Sequence, residues 1–181
     1  LTSFVMFLTS KIRSFNGCLG VFSAILLSVF MTVNASENLS LNENTIVVLG
    51  DSLSAGYGVK AEESWPSLLE NTLKKNNLNL SVINAGISGD TTSGGLFRLP
   101  LLLKKHKPKI VILELGGNDG LRGMSIKRVI KKNLEQMINM IQASGSIVVM
   151  IGVELPPNYG DLYTTSFKKM YVDLANKYSI S

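Results

Sequence analysis

Thr45-Ile46-Val47-Val48-Leu49-Gly50-Asp51-Ser52-Leu53-Ser54 is a run of β-branched and aliphatic residues that stops at a glycine and gives way to small polar ones. An apolar run without polar alternation predicts a strand buried on both faces, here 45–49, and the Gly-Asp-Ser behind it predicts a tight strand-to-helix turn. Similar runs recur at 81–84 (SVIN), 109–115 (KIVILEL) and 146–152 (SIVVMIG). Between them, 64–75, 92–105 and 125–143 read as helices. In the last of these, Ile126, Ile130, Leu134, Met137, Ile138 and Ile141 fall at three- and four-residue spacing, while Lys127, Arg128, Lys131 and Lys132 form a solvated side. A fourth helix is predicted over 163–177, after the Pro156-Pro157 turn. Short strands alternating with longer amphipathic stretches specify βαβ units and a parallel sheet.

With 181 residues, 45% hydrophobic and 17% charged, the chain has the size of one ordinary domain and too much apolar character for disorder. One cysteine, Cys18, and one histidine, His106, exclude an internal disulfide framework and leave almost nothing from which to build a transition-metal site. The net charge of +5 includes Lys11 and Arg13, which precede the apolar run CLGVFSAILLSVFMTV at 18–33 and the small-residue stretch Val33-Asn34-Ala35. Basic flank, apolar run and small-residue site predict a signal peptide over 1–35, with export to a periplasmic or extracellular space and no stable membrane anchor after cleavage. An uncleaved anchor is the alternative, because a run of this length can just span a bilayer. Residues 36–181 then form the folded domain.

Ligands of an open parallel sheet bind where strands end at their carboxyl side, because loops and helix N-termini converge there. Those ends read Gly50-Asp51-Ser52-Leu53-Ser54, Ala85-Gly86-Ile87-Ser88-Gly89-Asp90, Gly116-Gly117-Asn118-Asp119 and Val153-Glu154-Leu155-Pro156. A serine at a strand-to-helix turn, with donors aimed at a developing oxyanion, fits nucleophilic acyl chemistry. Ser52 is the candidate nucleophile. The backbone N–H groups of Ser52 and Gly89 and the side-chain amide of Asn118 are the candidate oxyanion donors. Leu53, Tyr57, Leu96, Leu121, Leu155, Pro157 and Tyr159 could line an acyl groove or simply belong to the core. Gly56-Tyr57-Gly58-Val59-Lys60-Ala61 has the G-x-G-x-x-A spacing of a dinucleotide loop, but it starts well beyond Leu49 instead of directly after the strand. Neither a phosphate-binding lysine motif nor a basic surface points to nucleic acid.

The stretch 50–58 resembles the first block of the GDSL, or SGNH, hydrolase family. The resemblance continues through 84–91 (NAGISGDT), Arg98-Leu99-Pro100, 114–123 (ELGGNDGLRG) and 155–160 (LPPNYG). Together these ordered blocks span the chain from Thr45 to about Lys177, and they are similar to the secreted acyl-CoA thioesterase I, arylesterase and lysophospholipase branch. The resemblance implies a flavodoxin-like α/β/α sandwich with Ser52 as nucleophile and Gly89 and Asn118 as oxyanion donors. It further implies hydrolysis of small acyl esters or thioesters without a cofactor or metal, by a monomer. Asp90 reads as a helix N-cap, and Asp51 and Asp119 as loop organisers.

One element of the family pattern is missing. A serine at neutral pH needs a general base and a group that orients it. The family supplies both from a C-terminal Asp-x-x-His block, which this sequence does not contain. His106, read as an exposed loop residue among lysines before the third strand, falls at the wrong end of the sheet to serve. The expectation is a hydrolase domain incomplete at its C-terminus, with four strands present and the fifth strand and last helix missing, and with impaired catalysis. The rival expectation is an acyl-binding remnant without turnover.

Overall fold

The computed structural model describes residues 42–181, so the segment read as a signal peptide, 1–35, lies outside the described residues. Four strands form one sheet: β1 (Asn42–Gly50), β2 (Ser81–Asn84), β3 (Pro108–Glu114) and β4 (Ile147–Met150). All pairings are parallel and the order is β2-β1-β3-β4, with Ile46 opposite both Val82 and Ile110, and Ile110 opposite Ile147. Six helices accompany them: α1 (Ser52–Ala55), α2 (Trp65–Lys75), α3 (Thr92–His106), α4 (Gly117–Leu121), α5 (Lys131–Ala143) and α6 (Asp161–Tyr178).

The order reverses direction at β1. From β1 the chain moves outward to β2, then crosses back over β1 to reach β3. Because parallel crossovers are right-handed, this reversal puts α2 on one face and α3, α5 and α6 on the other. Burial follows that division. Val111 and Leu113 of β3, with Leu115 just beyond its end, join Leu99 of α3, Leu134, Met137, Ile138 and Ile141 of α5, and Phe167, Met170 and Leu174 of α6 in one core. The intervening residues Ile110 and Ile112 are equally buried, as are Ile46 and Val48 of β1 and Leu69 and Leu73 of α2. The result is a three-layer α/β/α sandwich around a parallel sheet. The near-continuous apolar runs of β1 and β3 exist because both of their faces are covered.

The sequence reading differs from the fold in places where side-chain chemistry overrides periodicity. The stretch 125–143 is not one regular helix: it opens with a π-helical turn, Ile126–Ile130, whose entry is capped by Ser125 accepting from Arg128 N at 3.3 Å. β4 is shorter than the apolar run 146–152. Ser146 turns its hydroxyl to Pro108 O at 2.6 Å, while Ile151 N continues to donate to Leu113 O at 2.9 Å beyond the last paired residue. At the outer side of β4, Met150 N donates to Ser181 O at 2.6 Å, so the segment after α6 returns to that edge. Among the described residues, no helix is long and apolar enough to cross a membrane.

Candidate active site

β1 ends at Gly50, where a Cβ would lie 2.2 Å from Ser54 Oγ and 2.8 Å from Glu114 Oε2. Only glycine lets the chain pass between these groups, and the helix that starts immediately afterwards is a single turn. Asp51 caps it: Leu53 N donates to Asp51 Oδ1 at 3.0 Å, leaving Ser52 at the first helical position, partly open to solvent. Gly56 closes the turn in the left-handed conformation, φ +78°. The G-x-G spacing at Gly56 and Gly58 is therefore the exit of a helical turn, not the entrance to a phosphate loop.

Three carbonyl-rich loops meet at this edge of the sheet. Ile87 N donates to Gly50 O at 3.1 Å, tying the loop after β2 to the end of β1. Asn84 Nδ2 donates to Ser54 O at 2.7 Å and Asn84 Oδ1 accepts from Gly86 N at 2.9 Å, so α1 is held against the same loop. Asn118, in α4 after β3, donates from Nδ2 to Asp51 Oδ2 and to Asp90 O, each at 2.9 Å. With two acceptors on one side, the amide has a single sensible orientation. It bridges the residue before Ser52 and the residue after Gly89. Both of its hydrogens are engaged in this arrangement. Gly89 itself is exposed and has φ +79°, which turns its backbone as an ordinary side-chain-bearing residue rarely would.

The carboxylates around the site do different jobs. Asp119, fully buried, accepts from Thr92 N at 2.8 Å and from Thr92 Oγ1 at 2.6 Å, locking α4 to the first turn of α3. Asp51 has its carboxyl pushed above the ordinary aspartate value chiefly by burial, against the lowering effect of Leu53 N–H. Glu114, 2% exposed, accepts from Ser54 Oγ at 2.6 Å and from Asp51 N at 3.4 Å through Oε2, while Oε1 has no partner. Burial pushes its carboxyl up to about 7.

Asp90 corrects the sequence reading. The N-cap of α3 is Thr91, whose side chain accepts from Gly94 N; Asp90 lies one residue outside, its Oδ1 accepting from Thr91 N at 2.9 Å and its Oδ2 from Arg98 Nε at 2.8 Å. The nearby arginine and a glycine at 94, where a Cβ would lie 2.0 Å from Asp90 Oδ1, explain why the carboxylate takes this position instead. Arg98 and Glu114 were quoted in the sequence only as members of motif blocks. Their roles as supports depend on contacts across the sheet, which no local spacing reveals.

His106 is the last residue of α3, half-buried, where an exposed loop residue was expected. The 15 residues of α3 carry it roughly 20 Å from Thr92, at the amino ends of the strands. It cannot reach Ser52. The apolar candidates scatter. Leu53 and Tyr57 are 60% and 82% exposed beside Ser52, and Leu121 is tied to Tyr159, whose hydroxyl donates to Leu121 O at 2.9 Å. Leu155 is half-buried over Gly120, Pro157 is exposed in the turn Pro157–Tyr159, and Leu96 packs against the core.

Comparison with known proteins places this architecture. The model of the GDSL-like Lipase/Acylhydrolase family matches residues 48–180. An arylesterase of Vibrio mimicus is 49% identical over 149 residues, covering 82% of this chain and 72% of that protein. A thioesterase 1/protease 1/lysophospholipase L1 of Escherichia coli K12 is 42% identical over 137 residues, covering 76% of this chain and 64% of that protein, so the chain spans less than two thirds of this relative. The crystal structure of AlinE4, a SGNH-hydrolase family esterase, superposes with a TM-score of 0.73 at 40% identity, covering 77% of this chain and 74% of the other. From the family match, these identities and the shared sheet, the chain belongs to the GDSL-like lipase/acylhydrolase family.

Proposed function

We propose that this chain carries the nucleophile and oxyanion half of a serine hydrolase site for acyl esters or thioesters. The observation that carries the proposal is the Asn118 amide, hydrogen-bonded at 2.9 Å both to Asp51 beside Ser52 and to the Asp90 carbonyl beside Gly89. The serine, the glycine N–H and the amide are thereby grouped at the carboxyl end of the sheet. The names of the relatives, arylesterase and thioesterase 1/protease 1/lysophospholipase L1, share cleavage of the bond between an acyl carbon and a heteroatom.

In the reaction, Ser52 Oγ attacks the acyl carbonyl carbon as a base removes its proton. The carbonyl oxygen becomes an oxyanion held by the Ser52 and Gly89 N–H groups and by Asn118 Nδ2. Asn118 shares one hydrogen now bound to Asp51 or Asp90. Collapse expels the alcohol or thiol, which takes the proton back from the base, and water then releases the acid from Ser52 by the same route in reverse. The one histidine of the sequence is at the far end of α3 and cannot be that base. Substrate is a small acyl ester or thioester; Leu53, Tyr57, Leu121, Leu155, Pro157 and Tyr159 are the surfaces on which its acyl chain would lie. The reading needs no metal or cofactor, one copy of the chain, and export through residues 1–35 ahead of a domain at 36–181.

Hydrolysis of p-nitrophenyl butyrate tests it. The chain should turn over on the order of 10⁶-fold more slowly than an intact relative, because removing the histidine base of a serine triad alone has an effect of about that size. Whatever protein the reading frame makes naturally should lose its turnover in Ser52→Ala. Turnover that survives Ser52→Ala removes the nucleophile from the reading, and relative-like turnover by the chain itself removes the missing base. The far position of His106 favours a second reading, an acyl-binding protein without turnover; it predicts stoichiometric fatty-acid binding and no ester hydrolysis.

A further inference from the structure

Arg98 lies on α3, away from Ser52 in sequence, yet its guanidinium is directed at the two loops that carry Ser52 and Gly89. Nε donates to Asp90 Oδ2 at 2.8 Å, Nη2 donates to Gly50 O at 3.0 Å, and Nη1 donates to Ala85 O. The side chains of Arg98 and Asp90 are only 17% and 10% exposed. Gly50 precedes Asp51-Ser52, and Ala85 starts the loop that ends in Gly89. Asp90 follows Gly89 and lends its carbonyl to Asn118. A planar fork with five donors is suited to hold three acceptors at fixed angles, which a lysine ammonium is not. The end of β1 thus has one acceptor and the Ala85–Asp90 loop two, one at each of its ends, fastened to a common rigid group, and that group is carried by the helix that packs beside β1. Gly94, which leaves room for the Asp90 carboxylate, makes the first turn of α3 part of the same arrangement.

We propose that Arg98 is a positioning residue for the oxyanion hole: it fixes the end of β1 and the Ala85–Asp90 loop relative to each other, and so sets the spacing of the Ser52, Gly89 and Asn118 donors. The proposal rests on the reading of those donors given above for its functional meaning, but not for its geometry. Oxyanion donors act only when held in place before reaction, so loosening their support lowers rate through the transition state more than through substrate binding.

The test is amide hydrogen exchange and chemical shift, residue by residue, in the full chain and in Arg98→Lys and Arg98→Gln. Expected in both variants is exchange faster by about tenfold at the hydrogen-bonded amides beside the donors, Leu53, Ile87 and Asp90, with shifted Ser52, Gly89 and Asn118 resonances and unchanged exchange in β3 and α5. Unchanged exchange at Leu53, Ile87 and Asp90 with unshifted Ser52, Gly89 and Asn118 resonances overturns the proposal; so does an increase spread evenly over β3 and α5, which a merely structural arginine would give. Should both variants fail to fold, the unsubstituted chain decides. The Arg98 Nε–H should exchange with solvent at least about tenfold more slowly than that of a free arginine, as expected for a proton held in a buried ion pair, and exchange at the free rate overturns the proposal. None of these readouts involves turnover, so loss of the Ser52 reading in the ester assay and loss of the Arg98 proposal are separate results.

Discussion

Glu114 is a carboxyl group buried to 2% exposure with only one oxygen hydrogen-bonded, and its proton has consequences for stability. Burial raises its folded-state value from 4.5 to about 7, so between these limits the folded chain holds a proton that the unfolded chain has released. Stability from this group is therefore fully present below about pH 4.5, falls as pH rises toward 7, and is flat above that. By linkage the total is at most ~3 kcal/mol. Urea unfolding between pH 5 and 8 should show this decline in the native chain and a flatter profile in Glu114→Gln, which keeps an acceptor for Ser54 and carries no proton to lose. Asp119 offers a contrast, since both of its oxygens are satisfied by Thr92. Asp119→Ala strands two buried donors and should cost about 3 kcal/mol in the same unfolding experiment, with Asp119→Asn losing less. The legible part of the site was the set of residues at strand ends: Ser52, Gly89 and Asn118 could be nominated because each strand finishes in small and polar residues. Glu114 could not be seen as a support. In sequence it is the last polar letter of an apolar strand, and its partners are Ser54 and Asp51 on another strand's turn.

Elements meet at this edge with little room. A Cβ on Gly86 would lie 2.5 Å from Ala55 N and 2.8 Å from Ser54 C, both backbone atoms that no side-chain rotation can move away. Gly86→Ala should therefore push the loop after β2 off α1, lowering stability by about 1–3 kcal/mol and perturbing the Ser52 amide more than any amide of α6. Thermal unfolding with amide spectra checks both halves of that expectation. On the other face, Phe167 of α6 is fully buried, stacked on Tyr163 with ring centroids 6.5 Å apart and edge-on to Tyr171 at 5.3 Å. Phe167→Ala should cost about 3–5 kcal/mol by unfolding, the usual range for a buried aromatic. The four strands and the longer helices were readable from hydrophobic period alone. Short elements were not: α1 and α4 hold four and five residues, too few for a period, and exist because Asp51 caps the first and Gly116 at φ +118° turns into the second. The π-helical turn at Ile126–Ile130 was hidden for a related reason, because it keeps Ile126 and Ile130 on the packed side while changing only the hydrogen-bond step.

For the molecule as a whole, the proposed chemistry is confined to one end of the sheet. His106→Gln should leave any ester turnover unchanged within twofold, since the residue stands roughly 20 Å from the first turn of α3; a large loss on p-nitrophenyl butyrate would mean that the histidine reaches the site by some route the fold does not provide. At the outer edge of β4, Ser181 O accepts from Met150 N. The fold class was legible because a parallel sheet with a strand-order reversal leaves a strong trace in sequence: apolar strands, amphipathic helices, polar strand ends. The order β2-β1-β3-β4 has a further consequence, for synthesis. β1 is the first described strand to leave the ribosome, yet it lies inside the sheet and its partners β2 and β3 come later. Until β3 has emerged, the run Ile46–Leu49 has no neighbour on one side, and it must wait exposed. Parallel sheets of this kind fold slowly and invite mispairing during that wait. A nascent chain stalled before Pro108 should therefore bind a chaperone that recognises extended apolar segments, and release from it should coincide with the appearance of β3.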